Sequence, residues 1–119
     1  MTLITGIVNL RGAIHVSDRL TTLLSNGRPF DPLANKTIIY LCDGAVVTIG
    51  YTGIAYISGR PTDVWIAEQL VGQDIDPRFG FGQLPVPHRN IYAALELLRN
   101  SLERELKTLG SPHFALLVT

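Results

Sequence analysis

Cysteine occurs once in these 119 residues, methionine and tryptophan once each, and charge of a dominant sign not at all, since ten Lys and Arg balance ten Asp and Glu. Each scarcity excludes something. The single Cys42 cannot close an internal disulfide, so a small stapled scaffold is ruled out. Zero net charge removes the cationic excess that phosphate neutralisation needs, which excludes a generic nucleic-acid binder. No apolar run reaches the roughly 18–20 residues of a membrane span, and no charged segment with an apolar stretch behind it opens the chain as a secretion signal would. The expectation is a cytoplasmic protein whose partners include neither nucleic acid nor membrane. Neutrality also leaves copies without mutual repulsion, so self-association is easy.

What remains is foldable material. Apolar residues make up 46% of the chain and charged residues 17%, the balance of one folded domain over residues 1–119 and not of a disordered tail. Leu3-Ile4-Thr5-Gly6-Ile7-Val8 is short, apolar and β-branched, and reads as a strand buried on both faces. After a turn at Asn9-Leu10-Arg11-Gly12, residues 13–18 alternate, with Ile14 and Val16 on one face and His15 and Ser17 on the other. Residues 19–35 are turn-rich, with Asn26-Gly27, Pro29 and Pro32, and read as a long loop. A second hairpin joins Thr37-Ile38-Ile39-Tyr40-Leu41 to Ala45-Val46-Val47-Thr48-Ile49 across Asp43-Gly44, the dipeptide of a type I′ turn. Gly50, Gly53 and Gly59 follow in a segment that must pass close to something else.

Helix signals come next. Pro61 and Thr62 suit a helix start, Asp63 the positive end of its dipole, and Gly72 its stop. Residues 73–88, with Pro77, Gly80, Gly82, Pro85 and Pro87, form an irregular connector. Over 89–109, Ile91, Leu95, Leu98, Leu102, Leu106 and Leu109 recur at helical spacing, Arg99 and Glu103 stand four apart on the opposite face, and Gly110 ends the pattern. The apolar run 113–119 starts a further strand, and so apolar an ending reads as a chain that continues or needs a partner.

The common chemical motifs are missing. Gly80-Phe81-Gly82 lacks the strand-then-helix setting of a dinucleotide fingerprint, and no phosphate loop is present. His15, His88 and His113 show no metal-ligand spacing, so neither a metal nor another cofactor is expected. Cys42 at a hairpin corner reads as a small hydrophobe, and Trp65 as core. One constellation carries more. Thr2 follows Met1 directly, and a small second residue normally permits removal of the initiator. The threonine hydroxyl would then share a residue with a free α-amine, whose reference pKa of about 8 lets it act as a base at neutral pH. Such a nucleophile needs a cation beside its hydroxyl, a carboxylate to hold that cation, and a backbone N–H for the oxyanion.

The order of these elements resembles the proteasome-like branch of the N-terminal-nucleophile hydrolases. Thr2-Leu3-Ile4-Thr5-Gly6 is similar to the strand opened by that family's threonine, and Ser17-Asp18-Arg19 to the triplet that ends its second strand. The resemblance implies an α+β fold, an α-β-β-α sandwich, and assigns catalytic roles to Thr2 (nucleophile), Asp18, Lys36 and the oxyanion-binding Gly53. It sets Tyr51 and Ala55 beside the substrate side chain, and it needs no cofactor. Residues 54–60 are longer than their counterpart in proteasome subunits, and the chain covers about the first half of the family domain. The expected partners are therefore a second copy or a complementary C-terminal segment, and the expected substrate is a peptide or small amide. Taken singly, Thr2 fits any strand start, Asp18 reads as a turn cap and Lys36 as a solvated strand-start lysine. The alternative function is a non-catalytic assembly or binding subunit on the same fold.

Overall fold

The computed structural model describes residues 3–19, 21–22, 28–31, 34–72, 90–110 and 113–119. Its elements run β1 (Ile4–Asn9), β2 (Gly12–Ser17), β3 (Thr21–Thr22), β4 (Pro29–Asp31), β5 (Thr37–Cys42), β6 (Ala45–Thr52), β7 (Tyr56–Ile57), β8 (Arg60–Pro61), α1 (Thr62–Val71), α2 (Ile91–Thr108) and β9 (Ala115–Val118). Antiparallel sheets and two helices make this a mixed α+β domain.

The central sheet has the order β5-β6-β9. Its alternation sends Ile38, Tyr40, Val47, Ile49 and Tyr51 to one face, where Trp65, Ile66 and Leu70 of α1 and Ala94, Leu98 and Leu102 of α2 close the core over them. The β1–β2 hairpin lies across the other face. There the ring of His15 and a methyl of Ile4 fill the space beside Gly50, while Leu117 and Thr119 fill the space beside Gly6. Ser17 and Thr37 share a hydroxyl–hydroxyl bond of 2.8 Å that ties the end of β2 to the start of β5. Helices, sheet and hairpin are thus stacked in that order.

The helices follow their sequence signals. At the start of α1, Pro61 offers no capping side chain, so the Thr62 N–H donates to the Ala55 carbonyl at 3.0 Å instead. Gly72 ends α1 in the left-handed region at φ 79°. Asn90 caps α2 through its side-chain oxygen, which accepts the Ala93 N–H at 2.9 Å. The apolar stripe packs as its spacing predicts, except that Leu109 beyond the last turn is exposed, and the small residues Ala94 and Ser101 complete the buried face. Trp65 is core, and Arg99 and Glu103 approach to 3.9 Å. Among the described residues no helix is long and apolar enough to cross a membrane.

Three expectations need correction. The first strand forms but is not buried on both faces, since Ile7 and Val8 keep 58% and 63% of their surface exposed. Ile7 lies on the outer face, which has no described layer above it, and Val8 stays exposed although it shares the sheet-facing side with Gly6. Asp43-Gly44 does close the β5–β6 hairpin, yet only Gly44 takes positive φ, at 76°. A type I′ turn needs positive φ at both central residues, and that pattern occurs at Ser58 and Gly59, at 50° and 75°, between β7 and β8. The segment 19–35 is not all loop, because Thr21 pairs with Asp31 and Thr22 with Pro29. Residues 56–61 form this second small hairpin, fixed to both helices: Arg60 pairs with Glu68 of α1 at 3.2 Å, and the Ser58 hydroxyl donates to Glu105 of α2 at 2.7 Å. The connector 73–88, His88 included, lies outside the described residues.

Candidate functional site

The chain brings Asp18 and Lys36 together from opposite ends of a long excursion. Asp18 is the residue after β2 and Lys36 the residue before β5, so the Ser17–Thr37 bond sets their neighbours side by side. Lys36 Nζ donates to Asp18 Oδ1 at 2.9 Å, with Lys36 only 5% exposed and Asp18 36%. The solvated-lysine reading is therefore overturned. Removing an ammonium from water costs several kcal/mol in order-of-magnitude terms, and a carboxylate in contact offsets that only where geometry is good. A strand that needed nothing more than a polar start would leave its lysine in solvent. Asp18 is held in turn by its backbone, whose N–H donates to the Leu3 carbonyl at 3.1 Å and so sets the acid beside the start of β1.

The lysine's own segment is pinned from two sides. Arg19 donates through Nε to the Ala34 carbonyl at 3.4 Å and through Nη2 to Asn35 Oδ1 at 3.3 Å. Tyr51 in β6 donates its backbone N–H to the Lys36 carbonyl at 3.1 Å and its hydroxyl to the Asn35 carbonyl at 2.7 Å. The tyrosine ring is buried and stacks on Phe114 with centroids 6.4 Å apart. Sequence alone gives no sign of this bond, because Tyr51 and Asn35 meet only once β5 and β6 are paired. The Ser17–Thr37 contact, 20 residues apart, was equally hidden.

Gly53 follows β6 and occupies a position closed to any other residue. Its φ is +112°, and a side chain there would run into the His113 carbonyl. Ala55 is half-buried, with its carbonyl on the first N–H of α1. Thr2 lies outside the described residues. The structure thus joins Asp18, Lys36 and Tyr51 directly, and sets Gly53 two residues beyond Tyr51 along the same chain.

The histidines stand apart. His15 faces the sheet, and among the described residues neither of its ring nitrogens has a hydrogen-bond partner, while His113 is exposed. Among the described residues no three His, Cys, Asp or Glu side chains gather closely enough to hold a metal ion. Cys42 is half-buried, and its thiol donates to the Ala45 carbonyl at 3.5 Å.

Compared with known proteins, the chain matches no family model, no curated protein and no solved structure.

Proposed function

We propose that this chain is an N-terminal-nucleophile hydrolase of the proteasome-like kind, with an α-β-β-α sandwich fold, that cleaves amide or peptide bonds through an acyl-enzyme on Thr2. The observation that carries the reading is the buried Lys36 paired with Asp18, 2.9 Å apart, beside Leu3, the covalent neighbour of Thr2. The order of residues that resembles the family asks for a lysine held by that aspartate, and a buried lysine needs a reason.

The chemistry then divides among few groups. The Thr2 hydroxyl oxygen attacks the amide carbon while its proton passes to the Thr2 α-amine. Lys36 stabilises the developing negative charge on that oxygen, Asp18 holds Lys36, and the Gly53 N–H receives the oxyanion. Collapse breaks the carbon–nitrogen bond, and the amine returns its proton to the leaving group. Water then hydrolyses the ester, releasing the acid and restoring the hydroxyl. Neither metal nor cofactor takes part in this scheme.

Exposed apolar residues favour a second reading, an assembly or binding subunit without catalysis. Ile7, Ile14 and Val16 on the outer face of the hairpin, and Ile39, Leu41 and Val46 on the sheet, are the kind of surface that a second copy or a complementary C-terminal segment would cover. A cytoplasmic location accords with either reading.

Intact-mass measurement and labelling with a peptidyl β-lactone separate them. The lactone is opened by a nucleophilic hydroxyl and adds its whole mass. Loss of Met1 and single labelling are expected, with labelling abolished in Thr2→Ala. Lys36→Met should keep the fold, since its apolar side chain suits the buried position and the Asp18 carboxylate left behind is 36% exposed to water, and slow labelling by about 100-fold or more. Retained Met1, or labelling that survives Thr2→Ala, sinks the proposal. An unlabelled protein that elutes as an oligomer would support the assembly subunit.

A further inference from the structure

We infer that Tyr51 is a positioning residue for Lys36, acting through the backbone on either side of the lysine. The inference rests on the catalytic reading of Lys36 given above and assigns Tyr51 a task different from lining a substrate pocket. One residue holds two consecutive carbonyls: the Tyr51 N–H takes that of Lys36 at 3.1 Å, and the Tyr51 hydroxyl takes that of Asn35 at 2.7 Å. Any residue other than proline at position 51 could make the first bond. The second needs a donor at the end of a long, stiff side chain.

The stiffness comes from the core. Tyr51 is 4% exposed, its ring lies nearly parallel to that of Phe114 at an interplanar angle of 17°, and the two residues before it in β6, Ile49 and Gly50, are buried. A ring held this way places its hydroxyl without much freedom of its own. It carries the rigidity of the helix-facing core to residues 35 and 36, which lead into the start of β5. Lysine side chains have about 2 kcal/mol of rotamer entropy to lose when fixed. Here Asp18 fixes the far end of Lys36 and Tyr51 fixes its base. An ammonium restrained at both ends is held ready for a transition state, and catalytic groups need placement to within about 0.5 Å.

A pocket residue and a positioning residue fail differently. Loss of the first weakens binding of the probe, whereas loss of the second slows the chemical step. Labelling kinetics with the peptidyl β-lactone, resolved into KI and kinact, distinguish them in the full chain. Tyr51→Phe keeps the ring and its stacking but removes the hydroxyl. The expected result is a kinact about 10-fold lower, with KI nearly unchanged and the thermal midpoint lowered by a few degrees, as loss of one hydrogen bond predicts. An unchanged kinact overturns the inference, as does a raised KI with kinact intact. Should Tyr51→Phe fail to fold, Phe114→Leu carries the test, because it frees the ring while keeping the hydroxyl. A lower kinact supports the inference there, and an unchanged one overturns it. The two proposals also fail separately. Wild-type protein that is not labelled removes both, whereas labelling lost in Lys36→Met but intact in Tyr51→Phe removes only this one.

Discussion

Hairpins β1–β2 and β5–β6 each align six cross-strand pairs around a two-residue turn, and both are rich in isoleucine and valine. The second buries Tyr40, Val47, Ile49 and Tyr51 under two helices, whereas the first leaves Ile7, Ile14 and Val16 more than half exposed and turns His15 and Ser17 inward. Alternation therefore tells which side chains share a face and not which face meets the protein. In β5–β6 the apolar face decides, because helices with matching stripes are there to cover it. In β1–β2 the face that carries His15 and Ser17 decides. Gly50 leaves room for an imidazole, Thr37 offers a hydroxyl to Ser17, and Lys36 offers an ammonium to Asp18. The hairpin is docked by the same contacts that assemble the candidate site.

The comparison breaks most severely at the centre of the well-covered hairpin. Ile49 is fully buried between the sheet and the helices. Ile49→Ala removes three buried carbons and leaves a cavity, and should cost about 2–5 kcal/mol in urea unfolding. A loss below about 1 kcal/mol, well short of that range, would mean the helices do not close over β6 as described.

The docking seam should give an intermediate effect. In Gly50→Ala the new methyl collides with the His15 ring, and forcing a group into packed space costs about 1–3 kcal/mol. Adding His15→Ala should recover most of that loss, a coupling that a double-mutant cycle reads directly. If the hairpin were not seated on β6, Gly50→Ala would be neutral or slightly stabilising, since glycine weakens a strand interior. His15→Ala would then bring no relief.

These variants also mark where the sequence was legible. Both helices, the central hairpin and the returning strand followed from periodicity and from punctuation such as Gly72, because those signals act over a few residues. Lys36 and Asp18 were legible only through the resemblance, since nothing in Asn35-Lys36-Thr37 announces that the lysine will be buried. Burial of the first strand was misjudged for a related reason. A run such as Ile7-Val8 records apolarity, and whether a layer lies above it is a property of the whole assembly. Composition points the I′ turn to Asp43-Gly44, whereas Ser58 takes positive φ under constraints that residues 54–61 acquire only by fastening to both helices.

The outer face of β1–β2 should respond least, and its response bears on the partner question. Ile7 faces Ile14 across the ladder, and Thr5 faces Val16, so this face presents a small apolar strip with β-branched residues throughout. Ile14→Thr with Val16→Thr keeps the branching that favours a strand and removes methyls already in water. For an isolated chain the unfolding free energy should stay within about 0.5 kcal/mol, as for ordinary surface changes. Sedimentation at rising concentration supplies the second half of the measurement. If copies cover this strip, the double variant shifts toward monomer while the monomer itself keeps its stability. A loss above about 1.5 kcal/mol at dilutions where only monomer is present would contradict the exposure of Ile14 and Val16, and with it the contrast between the two hairpins.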